Sequence, residues 1–348
     1  MKDAPCNIVH GVIIMPRKSG PDIIRCTGFL LVVLFHFYLN NSFYSVPQTG
    51  AWVYLADFFR TLSISCNGLF ITLTGYLMCE KEFDKRYFRR LPGILLTYYI
   101  AAAISIPVRH FLLNDRRTLT GWITAFFGFS GVYYGWYVEM YAGLLLISPV
   151  LNAAAKELDK NGKLHYAVLL CTAAVSLPQI SPLGILPDWW KSFYPIVYYL
   201  IGTYIRKKQP KPKKLPLLLC AVILTAVTAA ATMLSTNEGL SSGFQPEFGD
   251  IEIVLTVVCL FLLLYDINLE KRSSRVFAFL AKGTFGGYLL SHLLDSWVYK
   301  LLRPLCTPSK YPLLFLCAGV PVFFVSILAG RLLARITSRE RPYYSPPV

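Results

Sequence analysis

The sequence predicts an all-α, polytopic integral membrane protein with about ten transmembrane helices and both termini in the cytoplasm. Three observations lead there. Of the 348 residues, 55% are hydrophobic and 15% aromatic. The apolar residues form long runs instead of amphipathic stripes, as is typical of membrane helices. Lys and Arg are concentrated in short segments between those runs, and this pattern sets membrane orientation. A soluble enzyme is excluded.

Counting about 20 apolar residues per span gives ten candidate helices with short loops between them. If the N-terminus is inside, most of the 34 Lys and Arg fall in cytoplasmic segments. We therefore predict a single transmembrane domain over 22–336, with cytoplasmic tails at 1–21 and 337–348. Translation from Met1 or from Met15 is left open. The predicted spans are 22–41, 53–79, 92–112, 133–154, 164–182, 190–206, 215–234, 251–267, 276–298 and 312–336.

Net charge and cysteine content exclude other classes. The formal charge of +15 does not indicate nucleic acid, because no basic and aromatic motif accompanies it. The nine cysteines include no C-x-x-C pair and no cluster with His at metal spacing. Most lie inside apolar runs, where they behave as small hydrophobic residues. We expect neither a disulfide framework nor a metal site.

The first span contains one arginine and one histidine in an otherwise apolar helix. Arg25 and His36 lie about three turns apart, on nearly the same face, with roughly 16 Å between them. Charged or titratable groups inside a membrane helix are costly and mark functional sites by default. The structural alternative is that Arg25 snorkels to the headgroups and His36 bonds to a neighbouring helix. The pair on one face favours a site.

The second span ends in a segment of small and polar residues that includes Asn67 and Tyr76, and a basic loop follows it. Most of that segment is explained by close helix packing. In the loop, Arg86 and Arg89 are neighbours on one helical face, and two guanidinium groups suit a phosphate-rich ligand. Ordinary positive-inside charge explains the loop equally well.

Further polar residues accompany the later spans. The aromatic cluster that includes Trp136 is typical of an outer interface belt. Glu139 follows it, and a carboxylate at that depth needs a cation or a proton, so we expect Arg60 or His36 as its partner. Near the end, His292 and Asp295 are expected to have a structural or substrate-lining role.

Taken together, these segments resemble the acyltransferase family 3 membrane proteins over nearly the whole chain. Two of the matching motifs are specific, namely the arginine-x10-histidine helix (Arg25, His36) and the R-x-x-R loop (Arg86, Arg89). The other matching motifs occur in many membrane helices. Thr74 stands where the family often has serine. The matching motifs are the arginine-x10-histidine helix (Arg25, His36), the S/T-G-Y turn (Thr74, Gly75, Tyr76), the R-x-x-R loop (Arg86, Arg89), W-Y-x-x-M-Y with P-x-L-N (Trp136 to Asn152) and T-F-G-x-Y-L-x-x-H (Thr284 to His292).

The resemblance implies transfer of an acyl group, usually acetyl, from cytoplasmic acyl-CoA to a hydroxyl of a cell-surface or lipid-linked glycan. Arg25, Arg86 and Arg89 would hold the CoA phosphates, and the roughly 16 Å to His36 compares with the reach of a pantetheine arm. His36 would act as general base or carry the acyl group itself. No metal is implied, and the resemblance places the protein in a bacterial cytoplasmic membrane.

The remaining roles implied by the resemblance concern the imidazole and the acceptor. Glu139 would orient or charge-balance His36. The acceptor would touch Arg60, Asn67, Tyr76, Trp136 or His292. Some family members carry a C-terminal extracytoplasmic esterase-like domain, which this sequence does not show. We therefore expect transfer to be completed by the membrane domain or by a separate extracytoplasmic partner.

Two other classes compete with this hypothesis. A transporter or flippase for a lipid-linked saccharide would use Arg25, His36 and Glu139 as a proton or substrate path, but the sequence shows no repeat symmetry. The other large class of membrane-bound O-acyltransferases also uses an intramembrane histidine, but would not require the preceding arginine or the R-x-x-R loop. A non-catalytic sensor would leave the buried charges unexplained. The acceptor, the acyl group and the oligomeric state stay open.

Overall fold

A computed structural model describes residues 7–9, 12–14, 18–82, 84, 87, 90–180 and 186–338. The described chain is helical apart from loops and one short antiparallel hairpin, β1 (Asn7–Val9) and β2 (Val12–Ile14), in which Ile8 lies opposite Ile13. Most of the two predicted tails lies outside the described residues. So do Met15, Arg86 and Arg89.

The helices confirm the all-α membrane class. Within the described ranges, six segments are long and apolar enough to cross a membrane: Gly20–Asn40, Ala51–Met78, Arg90–Leu112, Trp136–Lys160, Lys214–Leu234 and Pro308–Thr337. Leu164–Leu177 and Ile251–Leu264 are shorter apolar helices, and the count of ten is therefore not confirmed. A π-helical turn, Phe315–Gly319, joins the last two helices. The helices are α1 (Gly20–Asn40), α2 (Ala51–Met78), α3 (Arg90–Leu112), α4 (Leu119–Phe127), α5 (Trp136–Lys160), α6 (Leu164–Ile180), α7 (Tyr194–Lys208), α8 (Lys214–Leu234), α9 (Ile251–Leu264), α10 (Lys271–Ala281), α11 (Thr284–Leu302), α12 (Tyr311–Leu314) and α13 (Val320–Ser338).

Two departures from the predicted spans have physical causes. The predicted span 276–298 is divided into α10 and α11. A Cβ on Gly283, at the break, would collide with the carbonyl oxygen of Ile327, so the backbone at the break packs directly against α13. The helix α4 was not predicted as a span. At 9 residues it is too short to cross a bilayer, and it lies in the loop between α3 and α5.

The core is organised around α2, which packs against α1 on one side and α7 on another. Its close neighbour α1 runs antiparallel to it, and Gly28 of α1 lies level with Phe70 of α2. Counting at 1.5 Å per residue from that level places Asn67 beside Val32, about 6 Å below His36. The helix α11 contacts α1 and packs along α13. This arrangement brings one face each of α1, α2 and α11 together.

Candidate active site

A cavity of about 500 Å³ lies among α1, α2, the start of α5 and α11. Three of the predicted site residues line it, namely His36, Asn67 and Trp136. On α1, His36 is one turn from the end at Asn40, roughly 6 Å along the axis, and roughly 24 Å from Gly20. If the first helix starts in the cytoplasm, as the basic residues predict, the cavity belongs to the outer half of the membrane.

A carboxylate lies beside the enclosed edge of the His36 ring. Nδ1 of His36 is 4.0 Å from Oδ2 of Asp295, and Asp295 is only 2% exposed. Nδ1 is buried and has no hydrogen-bond partner in the described part of the chain. The distance exceeds that of a hydrogen bond, but catalytic hydrogen bonds are often long before substrate binds. Since His36 lines the cavity, Nε2 is left as the ring nitrogen that can meet a ligand.

Tyr134 fixes both members of this pair. Its ring stacks on His36 with centroids 3.6 Å apart and planes 4° apart. Its hydroxyl donates a 2.8 Å hydrogen bond to Oδ2 of Asp295. The Tyr288 hydroxyl in turn donates to the backbone oxygen of Tyr134 at 2.7 Å. The imidazole therefore has a fixed plane and a fixed neighbour, as a positioned base requires. In the sequence, Tyr134 is only one member of the aromatic cluster around Trp136, which predicts an interface belt.

Asn67 supplies a hydrogen-bond donor on the α2 wall. The residue is 5% exposed, lines the cavity, and its Nδ2 is buried without a partner in the described structure. Buried polar groups are almost always hydrogen-bonded. An unpartnered amide nitrogen beside a cavity is therefore suited to an oxygen of a bound ligand.

His292 lies behind the cavity wall. It is 1% exposed and does not line the cavity. Its Nδ1 is 3.0 Å from the backbone oxygen of Leu289, and its ring meets those of Tyr133 and Tyr134 edge-on. It supports the aromatic residues that cover His36. Asp295, one turn further along α11, was expected to share that supporting role, but it is the carboxylate nearest His36.

Glu139 is not brought to His36. It is exposed, and the face of α5 that carries it continues through Gly143, Leu146 and Val150, which are also exposed. The opposite face, including Tyr137 and Val138, is buried. Sequence periodicity alone did not indicate which face of α5 packs inward.

Arg60 and Tyr76 also lie away from the cavity. Arg60 is 2% exposed, and its Nε and Nη2 donate to the Tyr44 hydroxyl at 3.3 and 3.2 Å. Its guanidinium carbon is 5.2 Å from the centre of that ring. Tyr76 accepts a hydrogen bond from Nε2 of Gln209 at 3.3 Å, near the opposite end of α2. Both residues tie α2 to its neighbours.

Trp136 forms part of the outer wall of the cavity. Its ring stacks on Phe248 with centroids 6.1 Å apart and planes 27° apart, and it is 43% exposed. Phe248 is held by its backbone oxygen, which accepts from the Tyr198 hydroxyl at 2.7 Å. The two rings give the cavity a flat, partly open aromatic wall.

Arg25 lies at the opposite end of α1. Its Nη1 pairs with Oδ1 of Asp22 at 2.9 Å, and a third of its side chain is exposed. Arg25 and Arg90 both interact electrostatically with Tyr141, whose hydroxyl is 3.4 Å from that of Thr74. Arg90 begins α3. Two cations, Arg25 and Arg90, thus act on the same buried tyrosine.

A buried arginine holds the loop that carries Tyr134. Arg109 of α3 is 1% exposed, and its Nη1 donates to the backbone oxygens of Ser130 and Gly131, each at 3.0 Å. Its Nη2 pairs with Asp115, and its guanidinium carbon is 4.1 Å from the centre of the Tyr133 ring. Arg109 falls within the predicted span 92–112, and no sequence motif marks it as part of a site. A motif could not have revealed its partners, because they come from a non-helical loop.

Comparison with known families gives the class of the protein. Residues 18–331 match the family model described as an acyltransferase domain, and the chain belongs to this family, acyltransferase 3. It is a membrane acyltransferase. No curated protein and no solved structure matches the chain. Among the described residues, no group of three or more His, Cys, Asp or Glu is arranged to hold a metal ion.

Proposed function

We propose that this acyltransferase moves an acetyl group from cytoplasmic acyl-CoA to a hydroxyl of a cell-surface or lipid-linked glycan. The observation that carries the proposal is the cavity in which His36 has a buried carboxylate at one ring nitrogen and open space at the other. Arg25, on the same face of α1, is roughly 16 Å away. A cation at one end and a base at the other match a donor with phosphates at one end and a thioester at the other.

Arg25 is the residue of choice for the donor phosphates. Guanidinium groups recognise phosphates by paired hydrogen bonds. A third of the Arg25 side chain is exposed, and Arg90, an exposed residue at the start of α3, is a second cation that interacts with Tyr141. Arg86 and Arg89 are proposed to complete this site from the loop that the structure does not describe.

In the proposed mechanism, His36 is the general base. Nε2 takes the proton of the acceptor hydroxyl as its oxygen attacks the thioester carbon. The carbonyl oxygen becomes negative and is stabilised by the Nδ2 donor of Asn67. The carbon–sulfur bond then breaks, and the departing CoA thiolate takes the proton back from His36. Asp295 stabilises the imidazolium between the two transfers, and Tyr134 holds both groups in place.

The aromatic wall favours a sugar as the acceptor. Trp136 and Phe248 present flat, partly exposed rings at the outer side of the cavity. Such rings combine a large apolar surface with little loss of side-chain freedom on binding. A separate extracytoplasmic protein is proposed as a further partner that presents or receives the glycan. The membrane proposed for the protein is the bacterial cytoplasmic membrane.

The test uses purified protein in detergent with acetyl-CoA and a soluble sugar acceptor. We expect His36→Ala to keep CoA binding, measured by calorimetry, and to lose turnover by about 10²–10⁴-fold. Asn67→Ala should lose about 10²–10³-fold in kcat, and Arg25→Ala should weaken CoA binding. His165→Ala, on α6, is the matched control and should retain activity.

Two results would change the proposal. Wild-type protein that neither binds CoA at millimolar concentration nor cleaves acetyl-CoA would reject the donor. The transporter or flippase hypothesis would then be tested next. An acetyl group found on His36 by rapid quenching and mass spectrometry would replace the general-base step with a covalent acyl-histidine step.

A further inference from the structure

One face of α1 connects the proposed donor site to the cavity. Arg25, Gly28, Val32 and His36 follow one another at intervals of three or four residues, so they form one stripe along the helix. Val32 and His36 line the cavity, whereas Gly28 lies between its floor and Arg25. A pantetheine arm that runs from Arg25 to His36 along this stripe must therefore pass over the surface of α1 at Gly28.

The aromatic ring of Phe70 lies against α1 at Gly28. A Cβ placed on Gly28 would lie 3.1 Å from both Cε2 and Cζ of Phe70, so the ring rests directly on the α1 backbone. Phe70 is one turn from Asn67 on the same helix, and Thr74 is one turn further on. The ring also meets Tyr137 of α5 edge-on, with centroids 6.4 Å apart. It thus lies where α1, α2 and α5 converge, directly below the cavity.

The exposure of Phe70 agrees with a position beside a passage. Its neighbours Leu69 and Ile71 on α2 are both 0% exposed. Phe70 itself is only partly buried. Its ring contacts Gly28 and meets Tyr137 edge-on, and part of its surface stays accessible beside these contacts.

We propose that Phe70, resting on Gly28, sets the width of the passage between the Arg25 site and the cavity and so selects donors that carry a slim acyl group. The inference rests on the proposed function. The passage must admit the thioester end of the pantetheine arm, whose β-alanine and cysteamine units form an unbranched chain, so an acyl group no wider than that chain passes. A branched or aromatic acyl group is wider and is stopped at Phe70.

The first experiment compares acetyl-CoA with benzoyl-CoA as donors for wild type and Phe70→Ala. We expect the ratio of benzoyl to acetyl transfer to rise at least tenfold. Leu69→Ala removes a neighbouring buried side chain from α2 and should leave the ratio unchanged. Gly28→Val adds a side chain where the arm passes Gly28. This variant should keep CoA binding, and its rate of transfer from both donors should fall at least tenfold. An unchanged ratio in Phe70→Ala with normal acetyl transfer would overturn the proposal.

The second experiment does not depend on acyl transfer. Cys66 lines the cavity one turn above Phe70 and serves as a reporter in a full-length chain whose other cysteines are replaced by serine. A membrane-impermeant maleimide is applied from the predicted cytoplasmic side of inverted vesicles. Phe70→Ala should raise the rate of Cys66 labelling at least tenfold, whereas Leu69→Ala should not. If Phe70→Ala folds poorly, Phe70→Leu replaces it.

The two experiments distinguish a failure of the proposed acyl-CoA donor from a failure of the proposed passage at Phe70. Faster labelling in Phe70→Ala, together with a wild type that neither binds nor cleaves acyl-CoA, would reject the donor and keep the passage. Equal labelling in both proteins would reject the passage at Phe70, whatever the transferase activity.

Discussion

At the residue scale, the His36 ring has two different edges. Nδ1 is enclosed next to Asp295, and the ring lines the cavity from its other side. The Tyr134 hydroxyl already occupies Oδ2 of that carboxylate at 2.8 Å. Because two groups approach one oxygen, a small movement of either ring changes how strongly Asp295 orients the imidazole. The His36–Asp295 pair is therefore expected to respond even to substitutions that keep the shape of a side chain and change only its charge.

We expect Asp295→Asn to lower kcat by at least tenfold and to change the affinity for the CoA donor little. The amide keeps the shape of the carboxylate but cannot stabilise the imidazolium that forms during proton transfer. Steady-state kinetics with acetyl-CoA check this. Glu139→Gln, an isosteric change on the exposed face of α5, is the control. Full activity in Asp295→Asn would remove the carboxylate from the mechanism.

Part of the site is predictable from the sequence at this scale. Arg25 and His36 were recognisable because they share one helix, where residue number fixes relative position. Asp295 was not recognisable as the partner of His36, because its distance to the imidazole depends on how α11 packs against α1. Glu139 was chosen instead since its depth was predictable, although the direction in which it faces was not.

At the element scale, Arg109 turns an irregular loop into part of the site wall. Three backbone or side-chain oxygens and the rings of Tyr133 and Trp122 surround its guanidinium. Such a buried charge is costly to leave unpaired. The cation therefore fixes the loop between α4 and α5, which ends in Tyr133 and Tyr134, without any regular secondary structure.

We expect Arg109→Leu to lower stability by about 3–5 kcal/mol, since it leaves Asp115 and two carbonyls without their buried partner. Transfer should fall as well, because Tyr134 is no longer held against His36. Thermal unfolding in detergent and acetyl-CoA turnover measure the two effects. Arg117→Leu is the control, because Arg117 contacts the same Asp115 but a third of its side chain is exposed. Equal loss in both variants would contradict a special role for Arg109.

A second prediction at this scale concerns the contact between α11 and α13. A Cβ on Gly330 would collide with the backbone of Gly283 and Gly287, which are four residues apart on the facing segment. Small residues at this spacing let membrane helices approach closely. We expect Gly330→Val to cost about 1–3 kcal/mol or more by overpacking, measured as a lower melting temperature. Gly143→Val, where a Cβ meets nothing within 4 Å, should have little effect.

The helices themselves were largely predictable, because apolar length is written directly in the sequence. Each predicted span overlaps a helix of the structure. The break at Gly283 was not predictable, since its cause is a contact with Ile327 on another helix. The short helix α4 was missed for a related reason: its 9 residues fall below the length by which a membrane segment is recognised.

At the scale of the whole molecule, the predicted orientation awaits a direct test. Single cysteines at Lys211 and Glu238 are suitable probes, because both residues are exposed in loops at the two ends of α8. The distribution of Lys and Arg predicts the first inside and the second outside. In right-side-out vesicles, an impermeant thiol reagent should label Glu238→Cys and leave Lys211→Cys unlabelled. The opposite pattern would reverse the orientation of the molecule and of the proposed reaction.

The floor of the cavity at Phe70 and Gly28 also has an electrical consequence. A membrane potential falls mainly across the parts of a protein that water and ions do not enter, and moving one elementary charge through 100 mV involves about 2.3 kcal/mol. The proposed donor keeps its phosphates at Arg25 and passes only an uncharged arm and thioester across this floor. Turnover should therefore proceed at the same rate in a polarised and in a depolarised membrane, with no energy drawn from the field.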